Sequence, residues 1–296
     1  MSKLLDIRIG TMASLDGAAA YLKQILPHGF ESFQLTCWEN IGKTDIEETA
    51  KQVLDVIGDK AVIGSLGVFG NPLMKESTAA DFGRMIDAAK LFKTNIVGGF
   101  AGAIEGKPLP ESIPQFKKVW TDLAKRAKDN GVKIAFENCD MGGTWQAPLW
   151  NIAHAPTAWD MMFNALGSNA DVVGLCWEPC HQMNSLIDPL PQLRKVIDKV
   201  FHIHGKDATI AWDVLKTSGL RGGKTFVWHR TPGFGDTNWT DLISILRMNN
   251  WKGSIDIEGW HDPVYKDELE MTGQVHGLNY LKACRGGATF VPNPVK

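Results

Sequence analysis

Short apolar runs recur along this chain, and longer amphipathic stretches separate them. Eight runs have the length and β-branched content of buried parallel strands: Leu5–Gly10, Ser32–Cys37, Ala61–Val68, Asn95–Phe100, Val132–Glu137, Val172–Trp177, Val200–His204 and Ser254–Glu258. The stretches between them carry helical spacing. From Thr78 to Phe92, the residues Phe82, Met85, Ile86, Ala89 and Phe92 share one face. Ser112–Asn130 repeats the pattern, and Gly131 follows it as a C′ glycine. Pro156–Leu166, Pro191–Lys199 and Asn238–Asn249 continue the alternation, the last with Asn238 as N-cap and Asp241 in its first turn. Strand and helix alternating in this way predict an α/β protein, a closed (β/α)8 barrel. An open doubly wound sheet is the alternative, but no G-x-G-x-x-G follows the first strand and no G-x-x-x-x-G-K-[ST] occurs. The G-G-F-A-G run at Gly98–Gly102 reads as a loop near a substrate, and the Asp81-Phe82-Gly83 tripeptide, mid-helix, as chance.

A barrel of this kind takes roughly 250 residues. The 296 residues are therefore expected to form a single TIM-barrel domain over 1–296, with an irregular tail at 285–296. The segment Lys206–Thr237 is longer than a simple strand-to-helix connection, and such a loop on the carboxyl side of a barrel shapes a site.

Charge and composition narrow the partners. Lys plus Arg number 31 against 33 Asp plus Glu, so the basic footprint of a nucleic-acid binder is missing. No run approaches the ~18 apolar residues of a membrane span. The cysteines, Cys37, Cys139, Cys176, Cys180 and Cys284, are odd in number and form no C-x-x-C; with no signal-like apolar region, they fit reduced thiols and a cytoplasmic location. Tryptophan is abundant. Trp38, Trp177 and Trp260 stand near strand ends, where flat faces line a pocket, or else serve the core or a subunit interface.

The chemistry concentrates in the second half. Glu137, Glu178, His204 and Glu258 end four successive predicted strands, and the carboxyl ends of barrel strands converge on one face. Three carboxylates and one imidazole make an oxygen-rich set for one divalent ion, Mn²⁺ foremost, with Mg²⁺, Co²⁺ or Zn²⁺ as alternatives. His181 lies three residues beyond Glu178 and can reach the same centre. His202 shares a strand face with His204 and reads as an interior histidine; Asp256 sits likewise below Glu258. Lys206 and Asp207 either fix the following loop or bind substrate, and His229, Arg230 and His261 fall in loops expected at the mouth.

The run H-I-H-G-K-D, then P-G-F-G-D-T-N-W, then W-K-G-S-I-D-I-E resembles the sugar isomerase/epimerase family of xylose-isomerase-like barrels. The family pattern is H-x-K-D, G-x-G-x-x-x-W and a glycine before an apolar strand ending in Glu. The likeness is strongest from Val132 to Asp262. It implies a single divalent ion held by Glu137, His204, Glu258 and the acid at 178, where the family generally has Asp rather than Glu. It implies that Glu137 and Glu258 double as the catalytic acid/base pair, and that His181 contacts substrate, for which Lys206, Arg230, Trp38, Trp260 and His261 are further candidates. The activity it implies is isomerisation or epimerisation of a keto-sugar through an enediolate, in a protein that is a homo-oligomer, dimer or tetramer. Cleavage of 3-keto-glycosides on the same site is the alternative. An apurinic-site endonuclease needs histidines after strands three and four, where the sequence reads S-L-G-V-F-G and V-G-G-F-A-G; a non-catalytic sugar-binding barrel has no need of a metal flanked by carboxylates.

Overall fold

Parallel strands carry side chains that are covered on both faces, so they need helices outside and a filled interior. The computed structural model of this chain, which describes Leu4 and residues 6–294, meets both needs. Its strands are Ile7–Ser14 (β1), Ser32–Trp38 (β2), Val62–Phe69 (β3), Ile96–Gly99 (β4), Lys133–Glu137 (β5), Val173–Trp177 (β6), Val200–Gly205 (β7), Asp207–Ile210 (β8), Val227–Arg230 (β9) and Gly253–Ile257 (β10). Its α-helices are Ala18–Ile25 (α1), Ile46–Ile57 (α2), Glu76–Ala88 (α3), Ile113–Asp129 (α4), Pro156–Leu166 (α5), Pro179–Asn184 (α6), Pro189–Val196 (α7), Trp212–Ser218 (α8), Trp239–Met248 (α9) and Glu270–Cys284 (α10). Eight strands close into one parallel barrel in the order β1-β10-β7-β6-β5-β4-β3-β2. All eight expected strands are there. Leu5, the first residue of the first expected strand, lies outside the described residues. That strand runs on to Ser14, because Thr11–Ser14 pair with Phe33–Thr36 of β2.

The helices follow their sequence signals with small shifts at the ends. Asn238 caps α9 by accepting the Asp241 N–H, and Gly131 takes a φ of 67° just beyond α4. The helix expected from Pro191 starts at Pro189 instead, because Asp188 caps it by accepting the Leu190 N–H. The tail packs onto the barrel at Arg285, whose buried guanidinium donates to both carboxylate oxygens of Glu31, at 2.6 and 3.0 Å.

The barrel interior is filled, partly by polar groups. Ser32 Oγ donates to Asp256, and His202 Nε2 stands 3.2 Å from the other Asp256 oxygen and 3.4 Å from Ser65 Oγ. His202 is thus the interior histidine its position predicted. Gly10 makes this layer possible, since a Cβ there would lie 2.1 Å from the Ser32 carbonyl oxygen and 2.2 Å from Asp256 Oδ1. Trp177 also belongs to the interior: it is fully buried and its Nε1–H donates to Gln192 Oε1, which removes it from the pocket candidates.

The Lys206–Thr237 segment corrects the expectation of a plain loop. β8 and β9 pair antiparallel within it, with Asp207 opposite Arg230 and Ala208 opposite His229, and α8 lies between them. Each strand has only four residues, too few for alternation to stand out. Asp207 roots the hairpin. Its buried carboxylate accepts the Ala208 and Thr237 N–H groups at 2.8 and 3.0 Å and the Trp239 Nε1–H at 2.9 Å. Gly235 passes so close that a Cβ would lie 2.5 Å from that carboxylate. Burial pushes the Asp207 pKa up, and these donors work against that push. Replacing Trp239 with Phe keeps the ring but leaves a buried carboxylate oxygen without its donor. We expect Trp239→Phe to cost about 1–3 kcal/mol of stability in chemical denaturation; a variant as stable as the parent shows that Asp207 does not depend on this bond.

Candidate functional site

Four ligand-type side chains converge where the barrel strands end. Glu137 is the last residue of β5, Glu178 follows β6 as the N-cap of α6, His204 lies in β7, and Glu258 follows β10. One ligand atom from each falls within a sphere in which all lie within 4.8 Å of one another. His204 Nδ1 is 3.3 Å from Glu258 Oε2, 3.5 Å from Glu178 Oε2 and 3.9 Å from Glu137 Oε1. All four residues are buried. Both Glu178 oxygens, Glu258 Oε2 and His204 Nδ1 have no hydrogen-bond partner. Buried polar atoms without partners are costly, and so many at one point, oxygen-rich with one imidazole, fit a hard divalent cation. Glu178, one methylene longer than the family's Asp, reaches the same point as the other three.

The backbone around these groups is tightly held. Asn138, directly after Glu137, clamps Glu178: its Oδ1 accepts the Glu178 N–H at 2.7 Å, and its Nδ2–H donates to the Glu178 carbonyl at 2.9 Å. Asn151 Nδ2–H donates to the carbonyls of Glu137 and Cys139 at 2.8 and 2.7 Å. Neither asparagine was singled out in the sequence, although Asn138 adjoins a predicted ligand.

Charges at the site are strongly biased. Lys206, fully enclosed, puts its Nζ 2.6 Å from Glu258 Oε1. Burial works to raise the Glu258 pKa, but the Lys206 ammonium and His204 outweigh it and hold the carboxyl well below its usual range. For Glu178, burial outweighs the nearby His181 and Lys206 charges and pushes the pKa up. For His181 and His204 burial opposes protonation, yet the surrounding thiols and carboxylates raise both well above the ordinary histidine value. The carboxylates that draw protons onto these two imidazoles would also favour a cation among them.

A cavity of about 470 Å³ opens onto this centre. One wall is apolar: Met12, Trp38, Phe69, Phe100 and Trp260. The other carries Glu137, His181, Lys206, His229, Glu258 and His261. Trp38 and Trp260 stand at the rim, each about half exposed, and Trp150 braces Trp38 at a ring distance of 5.4 Å. His181, His229 and His261 meet edge to face in a row, 5.4 and 5.8 Å apart. Burial and the nearby Lys206 charge push the His229 pKa down to about 3, so its ring is neutral. Phe69 and Phe100 occupy the ends of strands three and four, where an apurinic-site endonuclease places histidines.

Nine of the ten expected site residues thus gather at one centre and its cavity; Arg230 does not. Its Nε lies 3.5 Å from Asp262 and its guanidinium 5.8 Å from the Phe234 ring centre, because β9 turns its side chain away from the cavity that neighbouring His229 faces. Sequence reasoning also missed Gln34, whose Oε1 lies 2.7 Å from His204 Nε2, and the wall residues Met12, Phe69 and Phe100.

Comparisons with known proteins agree with this fold. An inosose dehydratase of Clostridium tetani is 29% identical over 188 residues, 60% of this chain and 61% of that protein, so the match spans less than two thirds of the relative. Among solved structures, a 3-keto-D-glucoside 4-epimerase from E. coli superposes with a TM-score of 0.67 over 94% of this chain and 100% of its own, at 15% identity. A D-psicose 3-epimerase solved in the presence of D-fructose superposes with a TM-score of 0.68 over 95% of this chain and 100% of its own, also at 15% identity. At such identities the likeness is one of fold. The model of the xylose isomerase-like TIM barrel family matches residues 22–284, and this chain belongs to that family.

Proposed function

We propose that this protein is a divalent-metal-dependent isomerase or epimerase that acts on a keto-sugar through an enediolate. The observation that carries the reading is the convergence of the buried Glu137, Glu178, His204 and Glu258, the last three with unpartnered atoms, at the inner end of a cavity that has one aromatic and one polar wall. Those four residues would hold the ion, Mn²⁺ by preference for an oxygen-rich set. When bound, it supplies Lewis acidity that favours negative charge on a carbonyl oxygen.

The side chains then divide the work. Glu137 and Glu258 both line the cavity and belong to strands on either side of β6 and β7, so a substrate seated between them meets a carboxylate on each face. One removes the proton from the carbon beside the carbonyl. Return of a proton from the other face epimerises that carbon, and return to the neighbouring carbon moves the carbonyl. Lys206 keeps Glu258 ionised and sets an ammonium beside the reacting oxygens. His181 and His261 offer imidazole nitrogens to hydroxyl groups, and the Trp38 and Trp260 faces suit the C–H surface of a sugar ring. The partner is a small-molecule sugar.

A second reading, elimination, is favoured by one feature: the Lys206 ammonium faces the cavity, where its charge can stabilise a departing oxygen. Loss of the α proton and expulsion of oxygen from the β carbon give an unsaturated ketone plus water, or plus an aglycone if the substrate is a 3-keto-glycoside. The inosose dehydratase similarity supports this arm. Incubating free sugars, keto-sugars and keto-glycosides with the Mn²⁺-loaded protein in deuterated water separates the outcomes: an isomer keeps its mass, a dehydrated product loses water, and a cleaved glycoside yields two pieces. No deuterium uptake and no product from any of them leaves a non-catalytic barrel.

General acid–base help is worth about 10²–10⁴-fold. Glu137→Gln and Glu258→Gln are each expected to lower kcat by that range while the circular dichroism stays unchanged. A variant that keeps near-parental kcat with metal bound has lost no proton carrier, and the assignment to that residue fails.

Metal binding is measurable without a substrate. A ligand at 100 times its Kd stabilises a fold by about 2.7 kcal/mol. Mn²⁺ is expected to raise the melting temperature by several degrees, EDTA to reverse the rise, and Glu178→Ala to shrink it. A melting curve indifferent to Mn²⁺, Mg²⁺, Co²⁺ and Zn²⁺ alike is incompatible with the four-residue centre.

A further inference from the structure

We infer that Gln34 is the positioning residue of the metal centre: it accepts the His204 Nε2–H and so keeps Nδ1 bare towards Glu137, Glu178 and Glu258. The inference rests on the metal-centre reading above. His204 has two ring nitrogens and one neutral form can present only one of them to a cation. Nδ1 is the nitrogen that faces the three carboxylates, at 3.3–3.9 Å. The proton must then sit on Nε2, and Nε2 needs an acceptor. Gln34 Oε1 is 2.7 Å away, and both residues are fully buried.

The fold goes to some length to place this amide. Gln34 occupies the middle of β2, far around the barrel from β7, and its side chain crosses the interior to reach His204. Its amide nitrogen lies over Gly98 of β4, where a Cβ would come within 3.3 Å of it. An interior strand position of this kind is ordinarily apolar, and a glutamine there loses its hydration for one hydrogen bond. An amide also differs in effect from a carboxylate at the same place. Histidine ligands to metals commonly donate their second N–H to a carboxylate or carbonyl, which fixes ring orientation and tautomer. Here the acceptor is neutral, so it orients His204 without adding a fourth negative charge beneath a centre that already has three carboxylates.

The test compares Gln34→Leu with Gln34→Glu in the full-length protein. Leu keeps the volume and removes the acceptor; Glu keeps an acceptor and adds charge. Three measurements apply to each: melting temperature without metal, Mn²⁺ and Co²⁺ affinity by calorimetry, and the protonated ring nitrogen of His204 by nitrogen-15 NMR of histidine-labelled protein loaded with diamagnetic Zn²⁺. A positioning role predicts that Gln34→Leu loses about 10–100-fold in metal affinity and loses the pure Nε2–H signature, and that Gln34→Glu restores both to within a few-fold of the parent. If Gln34 merely fills space, the order reverses: Leu is silent and Glu, a buried charge, is the damaging change. Failure of the parent protein to bind any divalent ion overturns the metal centre and this role together; parental affinity in Gln34→Leu overturns this role alone.

Discussion

The structure is organised around a concentration of negative charge where water is scarce. Three carboxylates and an imidazole, all buried, share a space a few ångströms across at the end of the barrel. Like charges so placed repel, and each ionised group taken from water carries a desolvation cost. The Lys206 ammonium, bonded to Glu258, and the protonated His181 and His204 rings supply countercharge, and a cation held by the unpartnered atoms would supply more. Lys206 satisfies only one corner. The opposed shifts of Glu178, pushed up by burial, and Glu258, held down by Lys206 and His204 despite burial, express the same imbalance. The residue of this imbalance is what a divalent ion would remove, and the ion so held would supply the positive charge that acts on a carbonyl oxygen.

Such a centre needs a rigid frame, because unpartnered charges would otherwise move apart. The frame is supplied from below and from the side. Beneath it, Ser32, Asp256 and His202 form a hydrogen-bonded layer, for which Gly10 leaves room. Beside it, Asn138 grips the backbone of Glu178 on both its N–H and its carbonyl, and Asn151 grips the carbonyl of Glu137. Glu137 and Glu178 are therefore held by bonds that their own side chains do not make.

Much of this was legible before the fold was seen, for a physical reason. A closed parallel barrel forces every strand to end on the same face, so ligand-type residues at the ends of successive apolar runs must meet. Glu137, Glu178, His204 and Glu258 could be assigned on that ground alone. Gln34 could not, because a polar residue inside an apolar run carries no mark of its partner, and that partner lies 170 positions along the chain. Phe69 and Phe100 stayed hidden for the opposite reason: an aromatic residue at a strand end looks the same whether it faces the core or a cavity. The β8–β9 hairpin escaped because four-residue strands show no period, and Arg230 was misplaced because its orientation depends on that hairpin.

The motif that carried the family resemblance has a mechanical explanation in this structure. In His204-Gly205-Lys206-Asp207 the two charged neighbours turn in opposite directions, as consecutive residues of an extended chain do. Lys206 enters the centre and bonds Glu258; Asp207 turns outward and collects the N–H groups of Ala208, Thr237 and Trp239. Gly235 must lack a side chain to pass that carboxylate, and Trp239 must carry an N–H to reach it. H-x-K-D and G-x-G-x-x-x-W are thus two halves of one joint. Anchoring Asp207 at the root of the hairpin fixes the direction in which Lys206 points, and it fixes the position of His229 on the cavity wall as well. A change at Trp239, with no contact to the cavity, therefore acts on the site through the angle at which the chain leaves β7.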